Sequence, residues 1–491
     1  MSTKQRDFDV LIIGAGLSGV AAAYHLQTKC PNRTYAILER RESIGGTRDL
    51  FRYPGIRSDS DMYTLGYSFR PWKQPKAIAD GPDILSYVQE TAHAFGITDH
   101  IHFNHHVKRA EWSSKSARWT LEIEEGSGQK MIAFTCKFLF MCSGYYDYDQ
   151  GYTPKFNGID RFPGQVVHPQ KWPAGLDYTG RRVVVIGSGA TAVTLIPALA
   201  KTAAHVTMVQ RSPTYIVALP SRDQMAHFLR RFLPHSFVYK LIRWRNVLFG
   251  MYFYWFCKRS PEKAKAFILR GVKRALGPDY DVGRHFTPSY NPWQQRLCLA
   301  PDSDIFRVIK RGQASVITEK IDTFTERGLQ LASGQVIDAD IIVTATGLQL
   351  QLLGGMDVCV DGTPTKFADT VTYKGMMLSN IPNLALAIGY TNASWTLKCD
   401  LTSEYVCRIL NYMEARGFEK CCPIPDQGDQ LREPLIDFTS GYIRRAVNAL
   451  PKQGAKSPWR SYQNYIRDVW TVAYGSIEDG ALRFTRRTTK E

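Results

Sequence analysis

The sequence predicts an α/β fold because two apolar runs of strand length each end in a glycine-rich turn that leads into a helix-forming segment. The runs are residues 8–13 and 183–186. A third segment, residues 222–285, is rich in aromatic and basic residues at helical spacing. Together these features predict two Rossmann-like dinucleotide-binding domains with a helical insertion.

The first glycine-rich turn has the pattern G-x-G-x-x-G, formed by Gly14, Gly16 and Gly19. Gly14 permits the tight turn, Gly16 lets the backbone approach a pyrophosphate, and Gly19 lets the helix pack closely on the strand. The next predicted strand ends at Glu39, twenty residues after Gly19, where a carboxylate can accept hydrogen bonds from a ribose diol. A carboxylate without an arginine beside it disfavours a 2′-phosphate. On that interpretation this N-terminal turn binds FAD.

The second turn has the pattern G-x-G-x-x-A and is followed by a strand that ends differently. Arg211 and Ser212 stand where the first domain has its carboxylate. A guanidinium and a hydroxyl suit a 2′-phosphate, which a carboxylate would repel, so this turn is predicted to bind NADPH. The candidate residues of the turn itself are Gly187, Ser188, Gly189, Ala190, Thr191, Ala192 and Val193.

Two later apolar segments predict where the chain crosses between the domains. Residues 136–146 and 339–350 each contain a buried strand followed by a glycine. The FAD domain is therefore expected to be split between residues 1–150 and 351–491. The NADPH domain would comprise the linker and first part in 151–221 and a second part in 301–350, with the helical insertion in 222–300.

Composition narrows the classes of function. The 491 residues carry a net charge of +17, which favours anionic partners such as a phosphorylated cofactor or an acidic membrane surface. No nucleic-acid-binding motif is present, so nucleic acid is not expected as a partner. The ten cysteines form no C-x-x-C pair and no metal-ligand spacing, which predicts reduced thiols, no metal site and no flavin disulfide reductase. The N-terminus lacks a signal-peptide pattern, which predicts a cytoplasmic protein.

Much of the positive charge lies between residues 230 and 274, with 12 Lys and Arg against one acid, Glu262. One interpretation is a set of buried helices with solvated basic edges. Another is peripheral contact with a membrane, for which basic residues beside exposed aromatics are typical. A third is that the aromatics line a substrate entrance.

Three motifs carry a resemblance to a known family. Residues 162–173 contain F-x-G-x-x-x-H-x-x-x-W-P, residues 45–59 contain G-G-x-x-x-x-x-x-Y-P-G-x-R-x-D, and residues 290–302 are YNPWQQRLCLAPD. The chain resembles the type I Baeyer–Villiger flavin monooxygenases from end to end, and most closely their ethionamide-activating group. It departs from the family at Arg48, where a tryptophan is usual.

The resemblance implies roles for particular residues. Arg296 matches the arginine that the family places over the flavin, and Asp59 matches the acid that orients it, so both are expected to be catalytic. The fingerprint loop is expected to be a hinge between the domains, with His168 coupling domain motion to turnover. Its members are Phe162, Gly164, His168, Trp172 and Pro173. Candidate contacts of FAD are Ser18, Glu39, Thr47, Arg48, Asp49, Leu50 and Val107, and candidate contacts of NADPH include Arg57, Ser58 and Asp59.

Within the loop we expect Gly164 to adopt an unusual backbone angle and Pro173 to stiffen the exit. The aromatics are expected to anchor the loop against both domains. The activity implied is insertion of one oxygen atom of O₂ into ketones through a C4a-peroxyflavin, giving esters or lactones, together with oxidation of sulfides or thioamides. Two alternatives stay open: an N- or S-oxygenating flavin monooxygenase without ketone activity, and a membrane-attached NADPH-binding regulatory protein without turnover.

Overall fold

The computed structural model describes residues 6–126, 128, 130–426, 433–436 and 438–486. The first domain is built on a nine-stranded mixed sheet. The strand Arg6–Ile13 lies at its centre and pairs in parallel with Tyr35–Leu38 on one side and Lys130–Met141 on the other. The full order is Thr363–Pro364, Asp357–Val360, His105–Ser113, Arg118–Glu125, Lys130–Met141, Arg6–Ile13, Tyr35–Leu38 and Ile101–His102, with Leu384–Leu386 also pairing with Lys130–Met141.

The alternation of side chains along the central strand separates two cores. Val10 and Ile12 face one side, where three helices pack, whereas Leu11 and Ile13 face the other side. That second side is covered by the antiparallel strands that carry Trp112. Because both faces are covered, the strand is apolar along its buried half. The three helices are Leu17–Lys29, Gly81–Ala94 and Trp395–Arg416.

The second domain has a five-stranded parallel sheet. Its order is Ala314–Thr318, His205–Gln210, Arg182–Ile186, Ile341–Thr344 and Gln165–Val167. One face packs on the helices Ala190–Leu199 and Asp304–Lys310. The other face is covered by an antiparallel group of three strands: Ile321–Thr325, Gly328–Leu331 and Val336–Asp338. The α/β fold with two Rossmann-like domains is confirmed.

The two crossings between the domains lie side by side. Tyr146–Gly151 and Leu348–Leu350 form an antiparallel pair, with Leu348 opposite Gly151 and Leu350 opposite Tyr146. A motion of one domain relative to the other must therefore bend both crossings together.

Four helices occupy residues 224–286: Gln224–Leu229, His235–Arg259, Pro261–Leu276 and Val282–Phe286. In the sequence these helices lie between the strands Ile216–Leu219 and Cys298–Pro301, which pair with each other. Arg243, buried on the inner side of His235–Arg259, donates to the backbone carbonyls of Tyr63 and Gly66, each at 2.8 Å. These bonds attach the helix, which we call the long helix, to the first domain.

One of the three interpretations of this segment, buried helices with solvated basic edges, does not hold for the outer face of the long helix. Large apolar side chains of the long helix, including Phe249 and Trp255, are more than half exposed. Among the described residues, no helix is both long enough and apolar enough to cross a bilayer. The remaining helices of four residues or more are Thr47–Leu50, Met62–Leu65, Leu352–Gly355, Gly441–Ala446, Tyr465–Asp468 and Val469–Tyr474, and the remaining strands are Thr372–Tyr373, Met377–Leu378, Lys420–Pro423, Glu433–Pro434, Lys452–Gln453 and Leu482–Thr485.

Candidate active site

A large cavity lies over the first glycine-rich turn, at the carboxyl ends of the central strands, where ligands of open parallel sheets are held. Nine predicted residues line it. They are Gly14, Gly16, Ser18, Glu39, Thr47, Arg48, Asp59, Val107 and Arg296. The structure thus brings together residues that lie up to 282 positions apart, from Gly14 to Arg296.

The glycines of the first turn are required by close backbone packing. Gly14 has φ +104°, and a Cβ there would lie 2.8 Å from the carbonyl oxygen of Cys142. A Cβ on Gly19 would lie 1.8 Å from the carbonyl oxygen of Gly14. Gly16 begins the helix without a side-chain cap, which leaves the first amides of the helix available to an anion.

Glu39 directly follows the strand Tyr35–Leu38 and is buried beside this turn. Its carboxylate accepts hydrogen bonds from the backbone amides of Ala15 at 2.7 Å and Arg41 at 2.9 Å. Burial raises the pKa of Glu39, and these two amides act against that rise. These two amides therefore fix the carboxylate in the position in which it is predicted to bind a ribose.

The expectation that no arginine stands beside Glu39 is wrong, because Arg40 and Arg41 follow it directly. Both guanidiniums are paired with acids of the first domain. Arg40 pairs with Asp149, and Arg41 pairs with Asp49 at 2.6 Å. These ion pairs reduce the positive charge that either arginine could offer to a 2′-phosphate.

Arg296 and Asp59 form an ion pair at the cavity wall, with 2.9 Å between Nη2 and Oδ2. Their side chains are 34% and 39% exposed, so the pair faces open space. The carboxylate of Asp59 raises the pKa of Arg296 further above its ordinary value, and Arg296 stays a cation at every accessible pH. The geometry predicted for these two residues is present.

A smaller cavity adjoins the first and shares Arg296, Tyr145 and Trp395 with it. The cationic side chains that line it, among the residues that the structure describes, are Arg296 and Lys398, and Lys398 pairs with buried Asp468 at 2.7 Å. The apolar side chains of its wall are Ile388, Leu435, Ile436, Phe438 and Ile443. Arg296 therefore lies in the wall that the large cavity shares with the small one.

Arg48 points its guanidinium into the large cavity without a strong partner. Its Nη1 donates to the carbonyl oxygen of Arg57 at 3.5 Å, and its buried Nε has no hydrogen-bond partner among the described residues. A buried donor left without a partner is costly, which indicates that the position suits a further acceptor.

Several predicted contacts lie behind the cavity wall. Asp49 binds Ser43, Arg41 and Arg52, and Arg57 pairs with Asp304. The Oγ of buried Ser58 accepts from the amide of Ala79 at 3.2 Å. Asp49, Leu50, Arg57, Ser58 and Gly19 therefore shape the surroundings of the cavity without lining it.

The motif around Tyr53 and Asp59 spans the gap between the domains. Gly55 has φ +75°, and a Cβ there would meet the carbonyl oxygen of Thr194 at 2.8 Å, on the helix Ala190–Leu199. Asp59, four residues later, reaches the cavity of the first domain. The segment therefore links the second glycine-rich turn to the Arg296 pair.

The second turn repeats the construction of the first. Gly187 has φ +130°, and a Cβ there would lie 2.3 Å from the carbonyl oxygen of Ala345. A Cβ on Gly189 would meet no atom within 4 Å. Gly189 begins the helix without a side-chain cap.

The Ser188 hydroxyl donates to the carbonyl of Ser212 at 2.9 Å, and Arg211 is exposed beside it. Ala190, Thr191, Ala192 and Val193 form the first turn of that helix.

Two expectations about the fingerprint loop are wrong. Gly164 does not have a positive φ. Its small size is needed because a Cβ would lie 2.4 Å from the carbonyl oxygen of Asp340. Phe162 and Trp172 do not anchor the loop against both domains, since they pack on the two opposite faces of the second sheet. Pro173 is exposed at the exit of the loop.

His168 connects the loop to the second crossing. Its Nε2 lies 3.1 Å from the carbonyl oxygen of Gly347, and its Nδ1 accepts from the amide of Gln170 at 3.2 Å. The ring packs so closely on Gly151, in the first crossing, that a Cβ there would lie 1.9 Å from it. Burial lowers the pKa of His168, which favours the neutral ring with a proton on Nε2.

Replacing His168 with alanine is expected to lower kcat by about fivefold to tenfold, which corresponds to one lost buried hydrogen bond. The reason is that the variant frees Gly347 from the loop and loosens both crossings. Steady-state kinetics with measured FAD content checks this result. His168→Gln, which keeps an amide donor, should retain most of the rate. Equal losses in both variants would contradict a role for the Gly347 bond.

Sequence reasoning missed several residues of the cavity. Trp395 donates its indole N–H to Ser18 Oγ at 2.8 Å, and its ring lies 5.1 Å from that of Tyr145. Tyr146, Tyr148, Gln351 and Tyr390 also line the wall. Tyr145, Tyr146, Tyr148 and Gln351 lie in or directly beside the two predicted crossings. The ends of those strands were the signal that could have identified these residues.

Comparison with known proteins identifies the class. The Flavin-binding monooxygenase-like family model matches residues 67–244, and the model of the NAD(P)-binding Rossmann-like domain matches residues 12–76. FAD-containing monooxygenase EthA of Mycobacterium tuberculosis (strain ATCC 25618 / H37Rv) is 54% identical over 98% of this chain and 98% of its own length. EthA of Mycolicibacterium smegmatis is 51% identical over 98% and 97%.

Solved structures share the whole fold. Steroid monooxygenase, oxidised and bound to NADP, matches with a TM-score of 0.77 at 22% identity over 98% of this chain and 100% of its own. Cyclohexanone monooxygenase with bound ε-caprolactone gives 0.77 at 20% identity over the same shares. The fold and the cavity define a two-domain flavoprotein monooxygenase. The chain belongs to the family of FAD-containing monooxygenases, and the predictions of a flavin monooxygenase and of FAD as cofactor are confirmed.

Proposed function

We propose that this enzyme is an NADPH-dependent Baeyer–Villiger monooxygenase that converts ketones into esters or lactones and also oxidises sulfides or thioamides. The observation that carries the proposal is the Arg296–Asp59 pair, in which Arg296 lies in the wall shared by the large cavity and the small one. The large cavity, over the first glycine-rich turn, suits a dinucleotide, and the small cavity beside it suits part of a substrate, so the cation would lie where the two meet.

The residues of the large cavity fit FAD. The uncapped helix after Gly16 would hold the pyrophosphate, and Glu39 would hold the ribose. Arg48, with an unpartnered Nε, would offer a donor to the cofactor. When bound, FAD supplies the electron transfer and the activation of O₂.

The second turn supports NADPH as the reductant. Gly189 leaves room for a pyrophosphate at the uncapped helix, and Arg211 is exposed at the end of the next strand, where a 2′-phosphate would lie. Among the similar structures, OTEMO was solved with both FAD and NADP. That likeness supports two dinucleotides in one chain.

The chain's own residues would stabilise charge and exclude water. Arg296 would offer its guanidinium to the negative charge that develops on the substrate's carbonyl oxygen. Asp59 would fix the orientation of that guanidinium. Because Asp468 already neutralises Lys398, the described part of the small cavity presents no second free cation to a neutral ketone. Sulfides develop no such oxyanion, so the pair favours ketone oxidation over sulfide oxidation alone.

The proposal is tested by incubating the purified holoenzyme with NADPH and O₂, and with either a medium-chain ketone or an aryl sulfide. NADPH consumption, ester, sulfoxide and H₂O₂ are measured together. Ester formed in step with NADPH consumption would support the proposal. Sulfoxide without ester would favour an N- or S-oxygenating enzyme instead.

Replacing Arg211 with alanine is expected to raise the KM for NADPH by about tenfold or more, because charge-assisted hydrogen bonds contribute about 1.5–3 kcal/mol. The KM for NADH should change little, since NADH lacks the 2′-phosphate. Steady-state rates with both cofactors check this result. Arg231→Ala, which removes an exposed arginine from the helical insertion, is the control. A parallel rise for NADH would contradict recognition of the phosphate.

A further inference from the structure

An exposed apolar stripe runs along the outer face of the long helix. Six large side chains recur at intervals of three or four residues and therefore share one face. All six are exposed, from 40% for Leu241 to 62% for Tyr252. The stripe consists of Phe237, Leu241, Trp244, Leu248, Tyr252 and Trp255.

The opposite face of the same helix is already used. Val238, Ile242 and Val247 are buried against the first domain, and Arg243 is bonded to its backbone carbonyls. The helix is thus fixed in orientation, and the stripe cannot turn inward. Soluble proteins rarely expose contiguous apolar patches of this kind without a partner.

The charged residues along the long helix are of one sign. Residues 224–261 contain seven Lys and Arg and no Asp or Glu. Lys240 and Lys258 lie along one edge of the stripe, and Arg259 lies at its end, all three exposed. Before the helix, Arg231 is exposed next to Phe232, which is 72% exposed.

We propose that the stripe docks this enzyme in the interface of an anionic lipid bilayer. Aromatic and leucine side chains would enter the boundary between headgroups and acyl chains, while the flanking lysines and arginines would contact the phosphates. The same charges disfavour a second copy of the chain as the occupant, because a symmetric contact would bring cations together around an apolar seam.

The docked helix also forms part of the wall behind the active site. Val247 packs with Tyr390 and Leu397, and Tyr390 lines both cavities. Resting on the proposed function, this placement predicts substrates that dissolve in the bilayer, such as long-chain ketones or sulfides. They would reach the small cavity from the membrane side.

The test is co-sedimentation of the full-length holoenzyme with vesicles of phosphatidylcholine containing 30% phosphatidylglycerol, and with vesicles of phosphatidylcholine alone. The holoenzyme should bind the anionic vesicles more tightly. Leu248→Glu/Trp255→Glu should weaken that binding by about tenfold or more, since each buried apolar side chain contributes at least that much. Met131→Glu/Val336→Glu is the matched control, because it also charges two exposed apolar positions outside the stripe.

Two results would overturn the proposal. One is equal vesicle binding by the stripe variant and the control variant. The other is a dimer that, without vesicles, dissociates only in the stripe variant, which would assign the face to a second copy. In an activity arm, the stripe variant should oxidise a long-chain ketone in vesicles more slowly and a short soluble ketone at the normal rate. Failure of both ketones with intact vesicle binding would reject the proposed function alone.

Discussion

Replacing Arg296 with alanine is expected to lower ester formation by about 10²-fold or more while FAD stays bound and NADPH is still oxidised. Arg296 is a cation at the boundary of the two cavities, held by Asp59 at 2.9 Å. Without it, no unpaired cation of the described chain faces the carbonyl oxygen of a ketone in the small cavity, since Lys398 is neutralised by Asp468. The reducing equivalents from NADPH should then appear as H₂O₂. The measurement is the ratio of ester to H₂O₂ per NADPH consumed.

Arg296→Lys and Asp59→Asn separate charge from geometry. The lysine variant keeps the charge but loses the planar guanidinium, and the asparagine variant keeps Arg296 but removes the carboxylate that orients it. Both are expected to lie between the native enzyme and Arg296→Ala. Arg41→Ala is the control, because Arg41 pairs with Asp49 behind the cavity wall. An Arg296→Ala enzyme that makes ester at the native ratio would reject the role proposed for the pair.

The fold could be predicted from the sequence because its signals are local. An apolar run, a glycine-rich turn and a helix follow one another within thirty residues in each domain, and the backbone clashes at Gly14 and Gly187 show why no other residue suits those turns. The exposure of the long helix could not be predicted in the same way. Its sequence is apolar on most sides, and only the packing of Val238 and Ile242 shows which face is turned inward.

The sequence pointed to the residues of the candidate site that belong to family motifs. It did not point to the residues that only tertiary packing brings to the cavity. Arg296 and Asp59 are 237 positions apart, and only their likeness to a family pattern brought them together before the structure did. Gly164 shows the opposite case. Its glycine looked like a requirement of backbone angle, whereas the carbonyl of Asp340, distant in sequence, leaves no room for a Cβ.

Gly187→Ala and Gly189→Ala are expected to separate the two roles of the second turn. A Cβ at Gly187 would lie 2.3 Å from the Ala345 carbonyl oxygen at φ +130°, so this variant should destabilise the second domain by roughly 1–3 kcal/mol or more and lose NADPH-driven flavin reduction. A Cβ at Gly189 meets nothing within 4 Å, so stability should change by less than about 0.5 kcal/mol.

Gly189→Ala should nevertheless raise the KM for NADPH by about tenfold or more, because its methyl group would occupy the space in which the backbone approaches the pyrophosphate. Urea unfolding and NADPH kinetics, each on protein with measured FAD content, distinguish the two variants. FAD should stay bound in both, since the first turn lies in the other domain. A Gly189→Ala variant that is stable and has the native KM for NADPH would show that the pyrophosphate does not lie at this helix, because the added methyl group would otherwise collide with it.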